Sequence, residues 1–153
     1  MCVVPERIKR TVLYVPSAIC NAPATDSISM MFPMIMFSIT HRDEWFIRTM
    51  LPIALSDENI SKDTFETARL SILHTKVKAG MPSDVSGELM KKCTAPTLVM
   101  AAEKDCLYPA KRVLPRAKKI IPDCTTYLMK NRGHMNFLTE REKQMIVRFL
   151  ARN

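Results

Sequence analysis

Behind Pro96 the apolar pattern changes period, and this change constrains the fold more than any other feature of the chain. Residues 97–102 (Thr-Leu-Val-Met-Ala-Ala) form a short, continuous apolar run, as expected of a strand covered on both faces. A helical stretch then opens at Pro109 and ends near Ile121, with Pro122 just beyond. Pro115 inside that stretch is expected to kink or interrupt it. Residues 124–129 read as another strand. Thr139-Glu-Arg-Glu142 is a capping box that opens a last helix, with Met145, Ile146, Phe149 and Leu150 turned inward. Strand–helix–strand–helix alternation predicts an α/β fold with parallel strands joined by crossovers.

The front of the chain adds one strand and a long helical segment. Residues 11–16 (Thr-Val-Leu-Tyr-Val-Pro) read as a buried strand, followed by a loop over 18–29. Met30, Met31, Met34 and Phe37 recur at helical spacing, and for the methionine cluster Met30, Met31, Met34 and Met36 core packing is a better explanation than an adaptable apolar pocket. A second helix begins near Asp43 and carries Trp45, Ile47, Met50 and Leu51, with Pro52 kinking or ending it. A third has Ser61 as N-cap and Phe65, Ala68, Ile72 and Leu73 on its apolar face. A short fourth helix covers 84–92. The expected organisation is a core of residues 1–23 and 93–153 with about three parallel strands and flanking helices. Residues 24–92 form a helical insertion. Strand 11–15 is left as an open apolar edge, a template for self-association.

Two chemically capable residues fall at the carboxyl ends of these strands. Asp105 follows the strand 97–102, and His134 follows the strand 124–129. Chemistry gathers at such ends in open α/β sheets. Alone, Asp105 reads best as a loop carboxylate capping the next helix, and a lone histidine as a surface or satisfied core residue. Together they differ by 134 − 105 = 29 residues, room for one helix and one strand, which places both side chains at the same edge. An acid that orients a histidine base is the second half of a nucleophile–His–acid triad.

The 153 residues allow one domain, and 47% hydrophobic with 25% charged residues is ordinary for a globular protein. The net charge is +8, but the basic residues are scattered. The densest group, Lys111, Arg112, Arg116, Lys118 and Lys119, lies on a predicted surface helix. No zinc finger, aromatic RNA-binding motif or basic tail accompanies it, so nucleic acid is not the expected partner. Cys2, Cys20, Cys93, Cys106 and Cys124 form no CxxC pair and no metal-ligand spacing with His41 or His74, both read as solvated. Free thiols, no metal and a cytoplasmic location are expected. The N-terminus does not read as a signal peptide, and the apolar run 30–39 is about half a membrane span.

At this point the sequence resembles a known family. Ala95-Pro96-Thr97-Leu98-Val99-Met100 leading to Asp105, then Tyr108-Pro109 opening a helix, then Arg132-Gly133-His134, is similar to the C-terminal part of the α/β-hydrolases. Val12-Leu13-Tyr14-Val15-Pro16-Ser17 is similar to the strand that follows the nucleophile's helix in that family. The helical segment 24–92 sits where the family inserts its cap or lid. The resemblance implies Asp105 as triad acid, His134 as triad base, a small-molecule ester-like or thioester substrate, and no cofactor. The family's Gly-x-Ser-x-Gly turn is absent, and Gly80 and Gly87 do not create one. Ser17 lacks a tight elbow, and Cys106 shows no activation beyond one nearby histidine. The expectation is therefore a partial hydrolase fold whose nucleophile lies outside the chain. The alternative is a catalytically inactive, truncated hydrolase-like domain that acts as an interaction module.

Overall fold

A computed structural model describes residues 2, 4–22, 24–53, 62–74 and 82–152. Its elements are a 3-10 turn Pro5–Arg7, β1 (Thr11–Tyr14), α1 (Ala24–Thr40), α2 (Asp43–Ile53), α3 (Lys62–His74), α4 (Gly87–Met90), β2 (Thr97–Ala102), α5 (Ala110–Ile120), β3 (Cys124–Met129) and α6 (Glu140–Leu150). The three strands make one parallel sheet in the order β1-β2-β3.

Central β2 is buried along its whole length, which explains why its sequence carries no polar alternation. Its side chains still alternate between two cores. Val99 and Ala101 meet Ala110, Val113, Ala117 and Ile120 of α5, together with Met90 and Ile19. Leu98, Met100 and Ala102 meet Met129 and Phe149 of α6 on the opposite face. A third cluster, separate from the sheet, joins Phe37, Phe46 and Met50 of α1 and α2 with Phe65, Ala68 and Leu73 of α3. Phe46 is fully buried and packs edge-on to Phe65 at 4.7 Å between ring centroids. Phe46→Ala is expected to cost about 3–5 kcal/mol of stability, read from urea unfolding. A loss below about 1 kcal/mol would show that this cluster does not hold the helices together.

Several local expectations need correction. Strand β1 is four residues long, ends before Val15 and is only partly buried, because β2 is its one described neighbour in the sheet. Helix α1 starts at Ala24, inside the stretch read as a loop. Helix α4 spans one turn, not 84–92. Pro115 does not break α5. Both Pro115 and Lys111, whose carbonyl the proline deprives of its N–H partner, are exposed, so water can satisfy that carbonyl. Leu150 is 48% exposed and does not turn inward. Ser61 and Gly80 lie outside the described residues. The Thr139 capping box is present in both directions.

Candidate active site

Asp105 and His134 meet. His134 Nδ1 lies 3.0 Å from Asp105 Oδ2. The pairing is built by the backbone beyond the strands. Glu103 N–H donates to Met129 O (3.0 Å) and Lys104 N–H to Arg132 O (2.8 Å). Asn131 N–H donates to Glu103 Oε2 at 2.8 Å. These bonds stitch the loop after β2 to the loop after β3, so the register of the strands carries into the loops. Asn131 takes φ 57°, a left-handed turn that asparagine tolerates better than most residues.

The other carboxylate oxygen is equally engaged. Asp105 Oδ1 accepts from Leu107 N–H (2.8 Å) and Tyr108 N–H (2.9 Å). Asp105 therefore fills both roles considered for it: one oxygen closes the turn before α5 and the other faces histidine. Its side chain is 0% exposed, whereas that of His134 is 28% exposed. A carboxylate only accepts, so with Asp105 ionised the proton sits on Nδ1 and Nε2 is left bare. No described residue pairs with Nε2.

Sequence spacing gave no hint of the supports around this pair. Tyr108 packs its ring against His134 at 5.5 Å between centroids. Burial, and next the charge of Asp105, push the Tyr108 phenol up, keeping it neutral. Tyr14, at the end of β1, donates its hydroxyl to Asn136 O (2.9 Å), and Asn136 Nδ2 donates to Gly133 O (2.7 Å) and His134 O (3.3 Å). Tyr14 and Asn136 are 122 residues apart, so no local pattern could link them. Arg132 pairs with Glu142 at 2.8 Å and donates to Phe137 O at 3.2 Å, which closes the loop from α6. Met135 reaches into the helical cluster, and its N–H donates to Ile53 O at 3.0 Å.

The strand exit opposite is strained. Val15 (φ 44°) and Ala18 (φ 65°) sit in left-handed backbone that costs L-residues about 1–2 kcal/mol each. They are held by Val15 N–H to Met100 O (2.8 Å) and Val85 N–H to Ala18 O (2.6 Å). The exit loop also meets the acid's loop, with Ala22 N–H donating to Leu107 O at 2.7 Å.

Neither local nucleophile candidate is activated here. Burial, then the Asp105 charge, push the Cys106 thiol up to about 11. Its alkylation by iodoacetamide at pH 7.5 is expected to be roughly 100-fold slower than that of a free cysteine, followed by peptide mass spectrometry. Labelling at the free-thiol rate would reopen Cys106 as the attacking group. Ser17 is exposed in a bend and has no described bond to the pair. His41 and His74 are exposed and far along the chain from it. Among the described residues, no three His, Cys, Asp or Glu side chains gather to hold a metal, and no helix is long and apolar enough to cross a membrane.

No protein-family model and no curated protein sequence matches the chain. Its three-dimensional arrangement does match solved structures. Carboxylesterase CesB from Bacillus subtilis superposes with a TM-score of 0.72 at 18% identity, over 98% of this chain and 54% of that one. Naproxen esterase (carboxylesterase NP) from the same organism gives 0.67 at 15% identity, over 95% and 50%. The meta-cleavage product hydrolase of Pseudomonas fluorescens gives 0.67 at 17% identity, over 97% and 57%. The chain spans about half the length of the structures it matches.

Proposed function

From the fold of the C-terminal part of the α/β-hydrolases, which this chain has, we propose that it supplies the acid and the base of a nucleophile–His–acid triad. The parent reaction is hydrolysis of an ester-like or thioester bond in a small molecule. The observation that carries this reading is the 3.0 Å contact between His134 Nδ1 and Asp105 Oδ2, with the carboxylate locked from behind by two amides. In this reading the attacking residue lies outside the 153 residues. His134 Nε2 takes its proton during attack on the carbonyl carbon and returns it to the leaving group. Asp105 holds the Nδ1 proton and stabilises the imidazolium in between. Residues 24–92 act as the cap, and their packed core touches the base's loop through Met135. No cofactor enters these steps.

A second reading is favoured by the open edge of β1: a non-catalytic hydrolase-like module that associates through that strand, with itself or with a partner. The two are separated by the intact mass of the native polypeptide, captured from its source cells with an antibody to α6. A species well above 17.5 kDa carrying esterase activity supports the triad. If such a species turns over esters equally well after His134→Ala, the triad assignment is wrong. A species at 17.5 kDa without ester turnover favours the interaction module.

A further inference from the structure

On the sheet face covered by α6, away from Asp105 and His134, a groove of about 400 Å³ runs between α6 and β3. Its floor is apolar and aromatic: Leu98, Tyr127 and Phe149. Its wall is cationic. Arg141 and Arg148 line it seven residues apart on one side of α6, and Arg152 lines it just past the helix's C-cap. No carboxylate among the described residues pairs with any of the three. Glu142 also lines the groove, but it is already engaged by Arg132 (2.8 Å) and by the Thr139 amide (2.8 Å). Arg10 adds a fourth guanidinium nearby, 5.5 Å from the centroid of the Phe149 ring, and its Nε donates to Arg152 O at 2.7 Å.

Helix polarity does not explain the stripe. A cation is favourable near the C-terminal end of α6, where Arg148 lies, but unfavourable in the first turn, where Arg141 lies. The three share a groove rather than a position in the dipole. An apolar floor beside the guanidiniums of Arg141, Arg148 and Arg152 calls for a ligand with both features. Guanidinium forks match phosphate oxygens in geometry and charge.

We propose that the α6–β3 groove binds a small organic phosphate, with the phosphate on Arg148 and Arg152 and its apolar ring against Tyr127. Arg148, in the last turn of α6, and Arg152, just past its C-cap, both line the groove at that end and close on one head group. Arg141 lies about 10 Å further along the helix and acts by longer-range attraction. The site is independent of the hydrolase reading.

The test is a titration of the full 153-residue chain with 1-naphthyl phosphate, followed by amide nitrogen–proton chemical shifts. Saturable shifts confined to residues 125–127 and 141–152 are expected. Both 1-naphthol and inorganic phosphate should bind at least about tenfold more weakly, since each satisfies half the groove. Arg148→Gln should weaken binding about tenfold and Arg141→Gln less, with unchanged thermal midpoints because both side chains are exposed. Equal binding by Arg148→Gln, equal binding of 1-naphthol, or no localised shifts would overturn the proposal. So would tighter binding of single-stranded RNA over the same residues, which would make this a nucleic-acid surface.

Discussion

In the triad proposed above, replacing Asp105 by Asn is expected to lower kcat about 10⁴-fold and leave KM nearly unchanged. The reason lies in the two amides behind the carboxylate. Leu107 N–H and Tyr108 N–H both need an acceptor, and the Asn oxygen will satisfy them. Its NH₂ then faces His134 Nδ1, where the Asp105 oxygen had been. An NH₂ only donates, so Nδ1 must accept and the proton moves to Nε2. The histidine keeps its position, and its Nε2 is no longer bare to take a proton. The 153-residue chain allows the same test without turnover. Nitrogen chemical shifts of the His134 ring should report Nδ1–H in the parent and Nε2–H in the variant. An unchanged tautomer, or a variant with full kcat, would remove Asp105 from the mechanism.

Arg132→Met is expected to destabilise the chain by about 2–3 kcal/mol and to change its response to acid. The Glu142 side chain is only 3% exposed and loses its ion-pair partner in this variant. Burial pushes the Glu142 carboxyl up, but the hydrogen bonds from Arg132 and Thr139 outweigh it, so the carboxyl titrates below its ordinary value. A carboxyl lowered by folding contributes its full stability above the unfolded value, about 4.3 for Glu. That stability is lost as pH falls through the lower folded value. In Arg132→Met burial is no longer opposed by the guanidinium, so the folded carboxyl rises toward its unfolded value and the acid-driven loss shrinks. Urea midpoints between pH 3 and 7 measure both effects. Superimposable curves for the two proteins would mean that the ion pair contributes nothing to folding. Because Arg132 is two residues before His134, the same variant should also loosen the histidine's loop.

How far the fold could be read from sequence depended on how local each cause is. Strand β2 was readable because Thr97 is followed by five consecutive apolar residues, as needed where both faces are covered. The capping box was readable because its partners are three residues apart. Asp105 and His134 could be paired because a strand end fixes where the next residues emerge. Strand β1 was harder, since its edge position depends on which strands lie beside it. The start of α1 was hidden by Ala, Thr, Asp and Ser, which suit a loop as well as a first turn. The supports of His134 could not be read at all. Tyr14, Glu142 and Ile53 reach its loop from three separate elements, and each contact depends on completed packing.

The bond from Met135 N–H to Ile53 O ties the last residue of α2 to the residue after His134. It also gives the helical segment its own clock. The Met135 amide cannot exchange with solvent deuterium until the Phe37–Phe46–Met50 cluster releases α2 or the His134 loop lifts away. Its exchange rate therefore measures how often that loop is set free, in a protein at rest. Whatever ligand grips the helices and slows that opening must, by reciprocity, bind more tightly when His134 is held in place.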